Sequence, residues 1–99
     1  MDTFLVERYW PDVDLEALPE ALRRLDDAAR AMTDEGTPVG HLGTIVMPVD
    51  EVVFSLITAA DEAAVREVNA RARLPFDRIA SAITLGPVGV AHPAGGSAS

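Results

Sequence analysis

The chain has 99 residues, sixteen Asp and Glu against eight Arg and no Lys, a formal net charge of −8, and no cysteine. That length makes one domain with a modest core, and the missing thiols exclude disulfides and thiolate chemistry. The surplus of negative charge repels phosphate backbones, so nucleic acid is not an expected partner. The N-terminus lacks the basic start and long apolar run of a secretory signal, and no apolar run approaches the ~20 residues that span a bilayer. The expected location is the cytoplasm, away from membranes.

Residues 3–9 (Thr-Phe-Leu-Val-Glu-Arg-Tyr) read as a first strand, which Trp10-Pro11-Asp12 ends. Glu7 is a carboxylate among apolar and aromatic neighbours and is expected to be exposed or paired, with Arg8 or another arginine as partner. A helix follows. Leu15, Leu18, Leu22, Leu25, Ala29 and Met32 recur every three or four residues, and Asp14 is its expected N-cap. Pro19 interrupts the pattern. Either residues 14–18 form a separate turn and Pro19 opens the main helix, or the helix kinks there. Gly36 supplies a left-handed cap at its end.

Residues 38–58 carry the strongest signal. Two β-branched apolar runs, 39–47 and 52–58, flank a short polar break that opens with Pro48. This is a hairpin, with Pro48 where pairing stops. Both runs are apolar at nearly every position, whereas an antiparallel strand with one wet face alternates. Both faces are therefore expected to be covered. Gly40 and Gly43 inside the first run predict a bulge or a close backbone approach. Asp61 then caps a second helix reaching about Ala72, with Ala64, Val65, Val68 and Ala72 inward. A fourth strand is expected over residues 78–85. Residues 86–99, rich in Gly, Pro, Ala and Ser, read as a flexible tail beyond a domain of residues 1–85.

The order βαββαβ is the split βαβ, ferredoxin-like α+β arrangement: a four-stranded antiparallel sheet with two helices on one face. The bare face is apolar. Two such sheets packed face to face make a dimeric α+β barrel whose interior is the expected ligand cavity. The expected partners are thus a second copy of the chain and a small ligand or metal ion.

His41 is the leading candidate for chemistry. Imidazole titrates near neutrality and serves as a general base or a metal ligand, although a lone histidine on an apolar strand is more often a bonded core or rim residue. A metal needs several ligands, and each chain offers only His41 and His92, so Glu7 would have to join His41. Alternatively, Glu7 and His41 form an acid–base pair, with Tyr9, Ser55 and Thr44 as hydrogen-bond donors. The glycines do not form a dinucleotide fingerprint, and neither a phosphate loop, a nucleophile elbow nor a Cys/His zinc pattern is present; no organic cofactor is expected. Met32 and Met47 read as core. Trp10 reads as a strand-end plug or the mouth of a cavity.

Several stretches, in order, resemble a family of short bacterial ferredoxin-like proteins of mostly unknown function, some described as nickel-binding. They are the opening Phe4-Leu5-Val6-Glu7-Arg8, then Glu35-Gly36, His41, Phe54-Ser55-Leu56, Ala64-Val65-Arg66 and residues 74–79. The resemblance covers about residues 4–83. It implies a ferredoxin-like homodimer and a divalent metal such as Ni²⁺ held by His41 and Glu7, which match the family's strand histidine and first-strand acidic residue. Ser55, Ile57 and Thr58 depart from it, standing where a cysteine, an aromatic and an acidic residue are common. At the level of fold, the same barrel shape is similar to cofactor-free monooxygenases, isomerases and cyclases, which implies the alternative of a strand histidine acting as base on a small apolar substrate.

Overall fold

In the computed structural model, which describes residues 1–86, the elements run β1 (Asp2–Tyr9), α1 (Leu18–Asp34), β2 (Val39–Met47), β3 (Val52–Ala59), α2 (Glu62–Arg71) and β4 (Arg78–Ala82). The four strands form one antiparallel sheet in the order β2-β3-β1-β4. This is the ferredoxin-like α+β arrangement that the sequence predicts. The predicted tail, from residue 87 onward, lies outside the described residues.

Strand parity sorts the side chains. Phe4, Val6 and Arg8 of β1 are buried, as are Val53, Ser55, Ile57 and Ala59 of β3. These residues face the helices. Phe4, Val6, Ile57 and Ala59 share one core with Leu25 and Met32 of α1 and Val65 and Val68 of α2. The residues between them, Leu5, Glu7, Phe54 and Leu56, are only half-buried, because nothing among the described residues lies over the other face.

The first of the two alternatives for Pro19 holds: the residues before it form a separate turn. The Asp14 carbonyl accepts from the Ala17 and Leu18 N–H groups at 3.0 and 3.2 Å, and its carboxylate accepts from Glu16 N–H at 2.9 Å. Asp14 therefore caps that turn and not α1, whose N-cap is Ala17, with Pro19 in the first turn. Proline has no N–H to leave unbonded there. The inward stripe is Leu18, Ala21, Leu25, Ala28, Ala29 and Met32. Leu15 precedes the helix, does not follow its period, and is 55% exposed. At the far end Gly36 has φ +99°, and Thr37 N–H closes onto the Met32 carbonyl at 2.9 Å. Asp61 caps α2 through the Ala64 N–H at 3.0 Å, and Ala64, Val65, Val68 and Ala72 are buried as expected. Arg71 on α2 clamps Glu35 just past α1 with two bonds of 2.9 and 2.8 Å, which hold the Glu35 carboxyl below its ordinary range.

Two further expectations are corrected. Met47 is 42% exposed and Ile45 is 57% exposed. Both pair with residues of the open face, Val52 and Phe54, so Met47 is not in this chain's core. β4 stops at Ala82 instead of reaching Leu85 because its ladder partner runs out: Ala82 pairs with Thr3, one residue from where β1 begins. Ile83 and Leu85 follow, 89% and 87% exposed. No helix among the described residues is long and apolar enough to cross a membrane.

Candidate functional site

The site centres on His41 of β2, an edge strand. His41 pairs with Ile57, and Gly43 pairs with Leu56, so Leu42 is an extra residue in the ladder. This is the bulge that the two glycines predict. Gly40 also makes a close approach, since a Cβ there would fall 2.6 Å from Thr58 Oγ1. The bulge has a geometric effect. In a regular strand, residues three apart point to opposite faces. Here His41 and Thr44 both point toward the helices, Thr44 lying opposite the buried Ser55.

A chain of four polar side chains results. Asp26 of α1 meets His41 Nδ1 at 2.8 Å, His41 Nε2 meets Thr44 Oγ1 at 2.8 Å, and Thr44 Oγ1 meets Ser55 Oγ at 3.0 Å. A carboxylate only accepts, so Nδ1 carries the proton and donates to Asp26. In neutral imidazole Nε2 accepts from the Thr44 hydroxyl, and in imidazolium it donates to it. The His41 side chain is only 10% exposed, while that of Asp26 is half exposed. Asp26 thus holds a largely sheltered imidazole in one orientation and one tautomer.

The other expected members lie elsewhere. Glu7 stands opposite Phe54 on the open face and is paired with Arg78 at 3.2 Å, not with Arg8. Arg8, the next residue, turns to the helix side. Within one chain, Glu7 and His41 are therefore on opposite faces of the sheet and form neither an acid–base pair nor a shared ligand set. His41 also faces away from the surface that a second sheet would cover. Tyr9 is 59% exposed and donates to Glu51 Oε1 at 3.1 Å. That hydrogen bond, and then the Glu51 charge, push the phenol above its ordinary range, so Tyr9 keeps its proton. Of the expected hydrogen-bond donors, Thr44 reaches His41 and Ser55 reaches Thr44, whereas the sequence did not single out Asp26. Asp26 is one of many charges on α1, and Thr44 reaches His41 only because of the bulge.

Imidazole nitrogen is the donor that this site could offer a nickel ion. An imidazole oriented by a carboxylate on its other nitrogen is the usual form of a metal-binding histidine, and imidazole suits nickel. The described residues of one chain supply that one oriented donor and no cluster of three or more His, Cys, Asp or Glu side chains. His41 fits as one ligand, available when Thr44 yields Nε2. Further donors have to come from water or from outside the described residues of one chain.

A family model for nickel responsive proteins of the SCO4226-like type matches residues 4–81. No curated protein sequence matches the chain. The crystal structure of SCO4226 from Streptomyces coelicolor A3(2) superposes with a TM-score of 0.72 at 15% identity, covering 85% of this chain and 99% of that one. At that identity the likeness speaks for the fold. The family model spans most of the chain, including both His41 and Asp26, and the chain belongs to the SCO4226-like family of nickel responsive proteins.

Proposed function

We propose that the protein is a metal-responsive binding protein that works as a homodimer, with His41, oriented by Asp26, as its nickel contact. Membership of a family of nickel responsive proteins supports the metal. The observation that carries the site is the 2.8 Å contact between Asp26 and Nδ1, which makes Nε2, on which the Thr44 hydroxyl sits at 2.8 Å, the nitrogen that would bind once Thr44 yields it. The rival reading, a cofactor-free isomerase, cyclase or monooxygenase, needs His41 at the wall of an apolar pocket. Against it, the cavity between β1 and α1 is lined by Arg8, Trp10 and Leu74 and not by His41.

The dimer reading rests on the open face. Leu5, Phe54 and Leu56 are half-buried there, and Ile45 and Met47 are exposed at its edge. A contiguous apolar sheet face is costly to leave in water, and a second copy covers it with the same residues.

The test is calorimetric titration of tag-free protein with Ni²⁺, run on wild type, His41→Ala and Asp26→Asn. Saturable binding is expected in the wild type and should vanish in His41→Ala. Loss of the orienting carboxylate should weaken binding by about 10–100-fold. Unchanged affinity in His41→Ala, or no binding to the wild type, refutes the metal site. Light scattering reads the dimer directly, and a monomer mass refutes it.

A further inference from the structure

A cavity of about 420 Å³ opens between the end of β1, the first turns of α1 and the loop after α2. It lies on the helix side, away from His41. Phe4 shares the row of Ile57 and His41, and Arg8 lies four residues farther along β1, roughly 13 Å away at strand rise.

Arg8 is part of the cavity wall and is 3% exposed. A buried guanidinium ordinarily has a carboxylate or a full set of acceptors. Among the described residues Arg8 has neither. Its Nη1 donates to the carbonyls of Leu74 and Pro75 at 3.4 and 3.1 Å, and its Nη2 has no partner. Burial pushes its pKa down to about 10, so it is still a cation at neutral pH. A buried cation with one empty arm at a cavity wall is the arrangement expected where an anion binds.

Two further arginines line the same space. Arg24 is committed: its Nε donates to the Ala72 carbonyl at 2.9 Å, and its Nη1 is paired with Glu20. Arg73 is not, and its backbone is unusual. It has φ +57° at the position after α2 where glycine is the low-strain choice, while Arg73 N–H and Leu74 N–H close the helix onto Ala70 and Asn69. A strained non-glycine residue beside a cavity points to a role for its side chain. Three arginines and one glutamate thus line this cavity in a chain whose net charge is −8. Trp10 and Leu74 supply apolar wall. The volume is that of a small-molecule pocket, far larger than an inorganic anion needs.

We propose that this cavity binds a small organic carboxylate: the carboxylate is held by the charge of Arg8 in the wall and by a bond to Arg73, and its apolar body lies against Trp10. The chain's one tryptophan is thereby a built-in reporter. The test uses full-length, tag-free protein with phenylacetate as probe, read by Trp10 fluorescence and by calorimetry. Neutral phenylacetamide and inorganic phosphate serve as comparisons. Saturable phenylacetate binding is expected. Phenylacetamide should bind about tenfold or more weakly, the scale of a lost charged hydrogen bond, and phosphate should not compete. Arg8→Met should abolish binding. If that variant does not fold, Arg73→Gly decides: relief of the backbone should keep or raise its thermal midpoint while phenylacetate affinity falls several-fold. The proposal is overturned if phenylacetate gives no saturable signal, if the amide binds equally well, or if Arg73→Gly leaves the affinity unchanged.

Discussion

Val53 and Phe54 are neighbours in β3, yet one is fully buried under the helices and the other lies half-buried on the open face. The same contrast runs through the sheet: Ile57 against Leu56, Val6 against Leu5. The two faces are almost equally apolar in composition and very unequal in cover. An ordinary one-sided sheet would have settled this by placing polar residues on the wet face. Here the open face keeps Phe54, Leu56, Ile45 and Met47, and its charges, Glu7 and Arg78, are paired with each other. The difference separates what a single chain stabilises by itself from what the proposed dimer would stabilise.

The largest expected effect sets the two faces directly against each other. Val6→Asp places an unpaired charge in the core, opposite Ser55 and Ile79, and should cost about 4 kcal/mol or more, enough to unfold so small a domain. Phe54→Asp should keep a cooperative thermal melt and lose the dimer mass in light scattering. If both variants unfold alike, the contrast between the faces collapses. The next effect lies within the closed face. Thr44→Val removes the hydroxyl between His41 Nε2 and the buried Ser55 and should cost about 1–3 kcal/mol in denaturant unfolding. An unchanged midpoint would mean that the relay does not stabilise the fold. The smallest effect belongs to the open face. The Glu7–Arg78 pair is well exposed on its arginine side, so Glu7→Gln should cost at most about 0.5 kcal/mol in dilute protein. A larger loss that grows with protein concentration would put this pair inside the interface.

The architecture was legible because it rests on period and punctuation. The β-branched runs, the helical spacing, Gly36, Pro48 and Asp61 each have one local meaning, and the structure uses them accordingly, while Pro19 had two and the structure takes the separate turn. Asp14 was the exception, since two turns stood within reach of its cap. The end of β4 was not legible, because it depends on where the neighbouring strand begins. The site was read only in part. His41 was singled out by its chemistry, but its face could not be carried through a bulge, and Asp26 comes from a helix whose other charges look alike. The burial of Arg8 was hidden for another reason. Parity puts adjacent residues on opposite faces, so the apparent Glu7–Arg8 pair in the sequence is broken by the strand itself.

Leu42 lets β2 be paired in either of two frames. Side-chain parity along a strand is a reading frame of two, and the extra residue shifts that frame between His41 and Thr44. Deleting it would leave His41 opposite Ile57 and Thr44 opposite Ser55, two residues apart in a regular strand and still on one face, whereas absorbing it into the ladder, with Thr44 held opposite Ser55, would pair Leu42 with Ile57 and turn the imidazole to the open face. The deletion is silent for this polar chain, whereas a slip of one residue in pairing moves the histidine from the shelter of the helices to the apolar surface with no change of sequence at all.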